Sequence, residues 1–139
     1  MKPNSFFYLK CSPTSFFRAW VEFLAPYHKL TARERDVAAR ILIQHHVLSV
    51  EIKDPEVLRD VLWSRKSRKD MMESLKMSQA HFQMVLLKLR EAKFLKEDND
   101  VEPKFIPKLS EDGDPRFVLQ ILFDWSSPER PVRNVQEQD

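Results

Sequence analysis

The segment from Ser67 to Leu95 contains two helix-start signals eleven residues apart, which leaves room only for two short helices and a tight turn. The first signal is Ser67 with Asp70 three residues later, and the second is Ser78. A serine at a helix start accepts a backbone N–H of the first turn, and an acid there meets the positive end of the helix dipole. We therefore expect this segment to fold as a helix pair.

The second helix of this pair has one apolar face. Apolar residues recur in it at the i, i+3, i+4, i+7 spacing that marks the buried side of a helix. Phe94 and Leu95 follow directly and favour a strand that leads into a wing. The sequence thus predicts a helix-turn-helix over residues 67–92. The apolar residues of the stripe are Phe82, Val85, Leu86 and Leu89.

Extended segments are expected after the helix pair. There the helical spacing of apolar residues is replaced by an extended pattern, and turn-forming residues separate the extended segments from one another. The predicted strands are 94–96, 101–106 and 116–125. The predicted fold class is mainly α with a small antiparallel sheet, that is, a winged helix-turn-helix. We expect one domain over residues 1–125, with wing and strands over 94–125, and a polar tail over 126–139.

Three more helices are predicted upstream of the pair. Ser12 precedes Pro13 and opens a helix to about residue 24, because proline is tolerated at the first helical position. Thr31 and Glu34 form a capping box for a long helix. Asp54 precedes a proline in the same way and starts a shorter helix. The chain is therefore expected to be helical up to about residue 92.

Composition excludes several classes of protein. The single glycine, Gly113, rules out a glycine-rich phosphate loop or a dinucleotide fingerprint. The lone Cys11 cannot form an intramolecular disulfide, which fits a reducing compartment. No apolar run approaches the roughly 20 residues of a membrane span, and the first residues lack the pattern of a secretory signal. We expect an intracellular, cytoplasmic protein without membrane contact.

The net charge of +2 is unevenly distributed along the chain. Residues 63–96 carry nine Lys/Arg against three acids, and residues 97–139 carry eleven acids against five Lys/Arg. A basic helical segment is the electrostatic footprint of a phosphate-binding surface. The alternative is a solvated basic face without a partner, because such a patch is only a footprint.

The segment 67–95 resembles winged-helix proteins of the MarR-like kind and, more loosely, small winged-helix proteins of phages and mobile elements. The resemblance rests on Met71, Leu75 and Met77, on the Ser78 cap, on the apolar stripe of the second helix, and on an opening "LT-x-x-E" helix at Thr31. It implies a non-enzymatic regulator of transcription or replication that binds double-stranded DNA and needs no cofactor.

That resemblance, together with the basic charge of this segment, predicts nine DNA-contacting residues. Gln79, His81 and Gln83 would read base edges, since a glutamine amide pairs with adenine N6 and N7. The others would engage phosphates, four of them around the start of the first helix of the pair. Those phosphate-binding residues are Arg65, Lys66, Arg68, Lys69, Lys76 and Lys88.

Some residues depart from the family pattern and favour a second hypothesis. Met84 and Leu87 would also lie on the reading face, and exposed apolar side chains can meet thymine methyl groups but more often contact protein. Lys93 replaces the usual glycine before the wing and is expected to adopt a less favourable backbone conformation. The alternative hypothesis is that the chain is a structural or protein-interaction component of a larger assembly, such as a phage particle. It would then be located in the virion.

The aromatic residues of the first helix are either ordinary core or a dimer interface. The resemblance implies the interface, because terminal elements build the dimer in MarR-like proteins. The expected protein-interface residues there are Phe16, Phe17, Trp20 and Phe23.

No catalytic constellation or metal-binding motif is expected. His45 and His46 are adjacent and would diverge by about 100° on a helix, and no HExxH or CxxC spacing occurs. The histidines are therefore assigned to core or surface roles.

Overall fold

The computed structural model describes residues 10–109 and 124–126. The chain divides after Pro107 into two compact units, residues 1–107 and 108–139. The first unit is built from six α-helices over its described part. They are α1 Pro13–Phe23, α2 Ala25–His28, α3 Ala32–Ser49, α4 Pro55–Leu62, α5 Arg65–Leu75 and α6 Gln79–Glu91.

Local capping chemistry determines where most of these helices begin. The Ser12 hydroxyl accepts the Ser15 N–H at the start of α1, and Asp54 accepts two backbone N–H groups at the start of α4. Thr31 and Glu34 form the reciprocal capping box of α3. Ser78 accepts the His81 N–H at the start of α6. These four predicted starts are confirmed.

The central helix of the first unit is α3, which packs against α1, α4, α5 and α6. Its apolar face, formed by Val37, Ala38, Ile41 and Leu42, is fully buried, and each large side chain removed from water stabilises the fold by about 1.5–3 kcal/mol. The two helices of the predicted pair are therefore both anchored on α3. The largest buried side chains around it are Ile41, Leu42, Leu62, Met71, Phe82, Leu86, Leu89 and Phe94.

The start of α5 differs from the prediction. Ser64, not Ser67, is the N-cap, and its hydroxyl accepts the Ser67 N–H at 3.3 Å. Ser67 instead lies buried inside the first turns, where the Gln44 amide donates to its hydroxyl at 3.1 Å. Two serines three residues apart both suit a cap, and the contact with Gln44 on α3 decides between them.

The predicted fold class, a winged helix-turn-helix that is mainly α with a small antiparallel sheet, is wrong. The described residues form no sheet. Over residues 94–109 a single antiparallel bridge joins Leu95 to Val101, and no strand forms. Pro103 then begins a 3₁₀ turn, Pro103–Phe105. Proline has no N–H to donate to a ladder and a fixed φ, so the segment cannot continue as a strand. The predicted strand at 116–125 falls outside the described residues, except Asp124 and Trp125, which form none.

Side chains from α1, from α6 and from the C-cap of α4 hold the segment after α6, residues 94–105. Trp63 donates its indole N–H to the Asn99 carbonyl at 2.7 Å, and Trp20 does the same to the Phe105 carbonyl at 2.8 Å. The Arg90 guanidinium donates to the Asn99 side chain at 2.6 Å. Two of these bonds fix the turn at Asn99, and the Trp20 bond occupies the Phe105 carbonyl, which lies in the predicted strand 101–106.

The described helices contain none that is long and apolar enough to cross a membrane.

Candidate nucleic-acid interface

A cluster of four basic residues occupies the first turns of α5, and we call it the basic surface: Arg65, Lys66, Arg68 and Lys69. Three of them are exposed, and Arg68 is half-buried. The Nε atom of Arg68 is buried and has no hydrogen-bond partner among the described residues. Because Ser64 is the N-cap of α5, these residues belong to the helix itself rather than to a linker before it.

Within the described part of the chain, the basic surface has no ion-pair partner, in contrast to Arg18 of α1, Arg35 of α3 and Arg59 of α4. Arg18 pairs with Glu22 and, at 2.8 Å, with Asp36, which ties α1 to α3. Arg59 of α4 pairs with Asp98 at 3.0 Å. The hydrogen bond from Arg18, aided by Arg35, lowers the pKa of Glu22. These three arginines are thus neutralised, while the charge of the basic surface remains available.

The position of this cluster is unfavourable for the helix that carries it. The amino end of a helix is its positive end, where acids stabilise and bases destabilise by about 0.3–1 kcal/mol each at exposed sites. The first turn of α5 contains no acid. Asp70 and Glu73 are exposed further along the same helix. A bound anion would relieve the repulsion, because a helix amino end and a group of cations both attract negative charge.

One side of α6 faces solvent opposite its buried stripe, and we call it the outward face. At about 100° per residue its members cover a continuous arc of the helix. Every one of them is exposed, and Met84 and Leu87 are 62% and 47% accessible. The face joins two amide side chains to an apolar centre. Its residues are Gln79, Ala80, Gln83, Met84 and Leu87.

The other two predicted DNA-binding residues of α6 lie on its α3 side. His81 and Lys88 are exposed and line a shallow cleft with Thr31, Arg33 and Glu34 at the start of α3. Met84 forms the rim that this cleft shares with the outward face, and the Lys88 ammonium lies 3.5 Å from the Glu91 carboxylate. The structure therefore separates His81 from Gln79 and Gln83.

The turn between α5 and α6 is held by a residue that the sequence interpretation did not identify. Lys76 ends α5 in the left-handed conformation (φ 53°) and is exposed. Arg33, at the start of α3, donates from its guanidinium to the Leu75 carbonyl at 2.6 Å. No local pattern signals this contact, because the two residues are 42 positions apart.

The acidic segment after α6 is partly neutralised. The Asp98 carboxylate accepts the backbone N–H of Asp100 at 3.0 Å and pairs with Arg59. The Asp100 N–H and then Arg59 lower the pKa of Asp98. Lys93, immediately before this segment, has φ 66°, so the unfavourable backbone expected there is confirmed.

The aromatic residues of α1 have different environments. Phe17 is 3% accessible and packs edge-on against Phe16, which is half-buried. Trp20 is half-buried and bound to the Phe105 carbonyl. Phe23 is 49% accessible. Of the four predicted interface residues, Phe23 presents the largest exposed fraction to any partner.

His28 has a structural role within the first unit. The ring of His28 is buried between the Val21 carbonyl, 2.7 Å from Nε2, and the Leu30 N–H, which donates to Nδ1 at 3.0 Å. Nδ1 therefore accepts and Nε2 carries the proton. No group of three or more His, Cys, Asp or Glu side chains in the described ranges is placed to hold a metal ion.

Comparison of the chain with models of known protein families, with characterised proteins and with solved structures gives no match.

Proposed function

We propose that this chain binds double-stranded DNA through the basic surface of α5 and the outward face of α6, and that it regulates transcription or replication within the cell without catalysing a reaction. The observation that carries the proposal is the unpaired basic surface at the positive end of α5. Helix stability alone favours acids in the first turn, so the bases Arg65 and Lys66 there favour an anionic partner.

Further support comes from the elements next to the basic surface. Lys76 in the turn adds exposed positive charge, and Lys88 on α6 is exposed beside Glu91. The Ser78 hydroxyl caps α6, and the side chains that follow it are exposed polar or small groups. Residues 1–107 carry nineteen Lys/Arg and fourteen Asp/Glu, a net charge of +5, which favours approach to a polyanion.

The proposal is tested by duplex binding over a salt series. Log K should fall linearly with log salt concentration, with a slope of about 0.9 for each phosphate neutralised. Lys66→Ala with Lys69→Ala should weaken binding to every duplex and reduce the slope by up to about 2. Lys10→Ala is the matched control, since Lys10 is exposed and has no partner among the described residues. Absence of salt-dependent binding at low salt would eliminate DNA as the partner.

A second candidate function is a protein-interaction or structural role, in a homodimer or a larger assembly such as a phage particle. It is favoured by the apolar centre of the outward face, where Met84 and Leu87 remain exposed. The double variant Met84→Ala, Leu87→Ala discriminates between the two. Loss of self-association or assembly in sedimentation, with unchanged DNA binding, supports the interaction role.

A further inference from the structure

The outward face of α6 carries amide and apolar groups and, over its first two turns, no charged side chain. Gln79 and Gln83 supply the amides, and Ala80, Met84 and Leu87 are apolar. The cations of α6 are directed elsewhere. Lys88 lies on the cleft side beside Glu91, and Arg90 donates to Asn99.

This chemistry matches one kind of base pair in the major groove. Adenine presents an acceptor, N7, next to a donor, N6, and a glutamine amide can satisfy both. Thymine presents a C5-methyl group that apolar side chains contact. Guanine presents two acceptors and calls for Arg or Lys, while cytosine presents a donor and calls for Asp or Glu. The first two turns of the outward face carry neither a basic nor an acidic side chain.

Resting on the proposed function, we infer that α6 selects A·T base pairs, with Gln79 and Gln83 reading adenine and Ala80, Met84 and Leu87 contacting thymine methyl groups. The two glutamines are four residues apart and so share one side of the helix. Their separation along the axis is about 6 Å. That distance is about two base-pair rises of 3.4 Å. Both amides can therefore reach bases in one stretch of groove, and the apolar side chains lie beside them.

Three duplexes of equal length test this selectivity at one salt concentration. One contains A·T pairs at its centre, one G·C pairs, and one inosine·cytosine pairs. Inosine·cytosine presents the major groove of G·C but lacks the guanine N2 amino group, so that its minor groove resembles that of A·T. The intact chain should bind the A·T duplex about tenfold more tightly than both others, since one bidentate contact discriminates by about that factor or more.

Two results would overturn the inference in different ways. Equal, salt-dependent binding to all three duplexes, or inosine·cytosine binding as tight as A·T, rejects major-groove selection and leaves DNA binding intact. Absence of salt-dependent binding to any of the three rejects the inference together with the proposed function.

Base analogues and variants then assign the contacts to residues. Replacing thymine by uracil removes only the C5-methyl group and should weaken binding several-fold, an effect that Met84→Ala should reduce. Gln83→Arg should move the preference toward G·C, because its guanidinium suits guanine O6 and N7. Lys88→Ala is the control, and it should weaken binding to all three duplexes equally. An unchanged preference in Gln83→Arg would contradict the assignment.

Discussion

The Arg33 guanidinium donates a 2.6 Å hydrogen bond to the Leu75 carbonyl, so that the start of α3 is bound to the last residue of α5. The last four carbonyls of a helix have no partner within it, and a cation there also complements the negative helix end. Arg33 therefore stabilises the end of α5 at the point where the chain turns toward α6.

Replacing Arg33 should loosen this connection. Arg33→Ala is expected to lower the free energy of unfolding by about 0.5–1 kcal/mol, a value reduced by the partial exposure of the side chain. Urea unfolding measures the change. Arg40→Ala is the control, because Arg40 lies on the same helix and makes no polar contact within the described residues. Equal losses in the two variants would show that the bond to Leu75 contributes nothing particular.

Replacing the first two basic residues of α5 by acids should raise the stability of the fold and weaken DNA binding. Arg65→Glu with Lys66→Glu places negative charge at the positive helix end and should raise the unfolding free energy by about 0.3–1 kcal/mol per residue. The same variant should lose salt-dependent DNA binding. Thermal unfolding and fluorescence anisotropy measure the two effects. A variant that is less stable than the natural chain would contradict the electrostatic account of α5.

Glycine at the two left-handed lysines that flank α6, of three left-handed lysines in the described residues, should relieve backbone strain. Lys76 and Lys93 have φ of 53° and 66°, a region that costs most residues about 1–2 kcal/mol and glycine almost nothing. Lys76→Gly and Lys93→Gly should each gain up to about 1 kcal/mol, because the freer unfolded chain offsets part of the relief. Only Lys76→Gly should also reduce the salt slope of DNA binding. An equal reduction of the salt slope in both variants would show that the DNA-binding surface extends beyond the proposed residues to Lys93.

Acid should weaken the fold through His45. Burial, and secondarily the charge of His46, lower the pKa of His45 below 6.5, while Asp100 opposes the shift. Between the folded pKa and 6.5 the unfolded chain binds the proton more readily, so stability should fall as pH drops through this window and be fully present above it. His45→Gln should flatten the fall in urea midpoints. Identical pH profiles for His45→Gln and the natural chain would exclude this role.

Helix starts were predictable from the sequence because their chemistry is local. The caps at Thr31 and Ser78 need only residues within one turn. The start of α5 was missed because Ser64 and Ser67 satisfy the same local rule, and only Gln44, on another helix, distinguishes them. The exposure of the outward face followed from the helical spacing of its buried stripe.

Elements that depend on distant contacts could not be predicted. The expected strand at 101–106 has suitable apolar residues, but Pro103 begins a 3₁₀ turn and Trp20 binds the Phe105 carbonyl, so a single bridge remains. Arg33 was not recognised for the same reason, since its partner at Leu75 lies on a different helix. The family resemblance rests on the spacing of apolar residues in the helices. It does not hold for residues 94–106, whose conformation depends on contacts with side chains from distant parts of the sequence.

The attachment of both α5 and α6 to α3 has a consequence for the entropy of binding. Ser67 meets Gln44, Leu75 meets Arg33, and the α6 stripe lies in the core around the same helix. The distance between the basic surface and the outward face is therefore set before any partner arrives. A ligand that touches both surfaces meets a preorganised template, and its affinity is not reduced by ordering the helices.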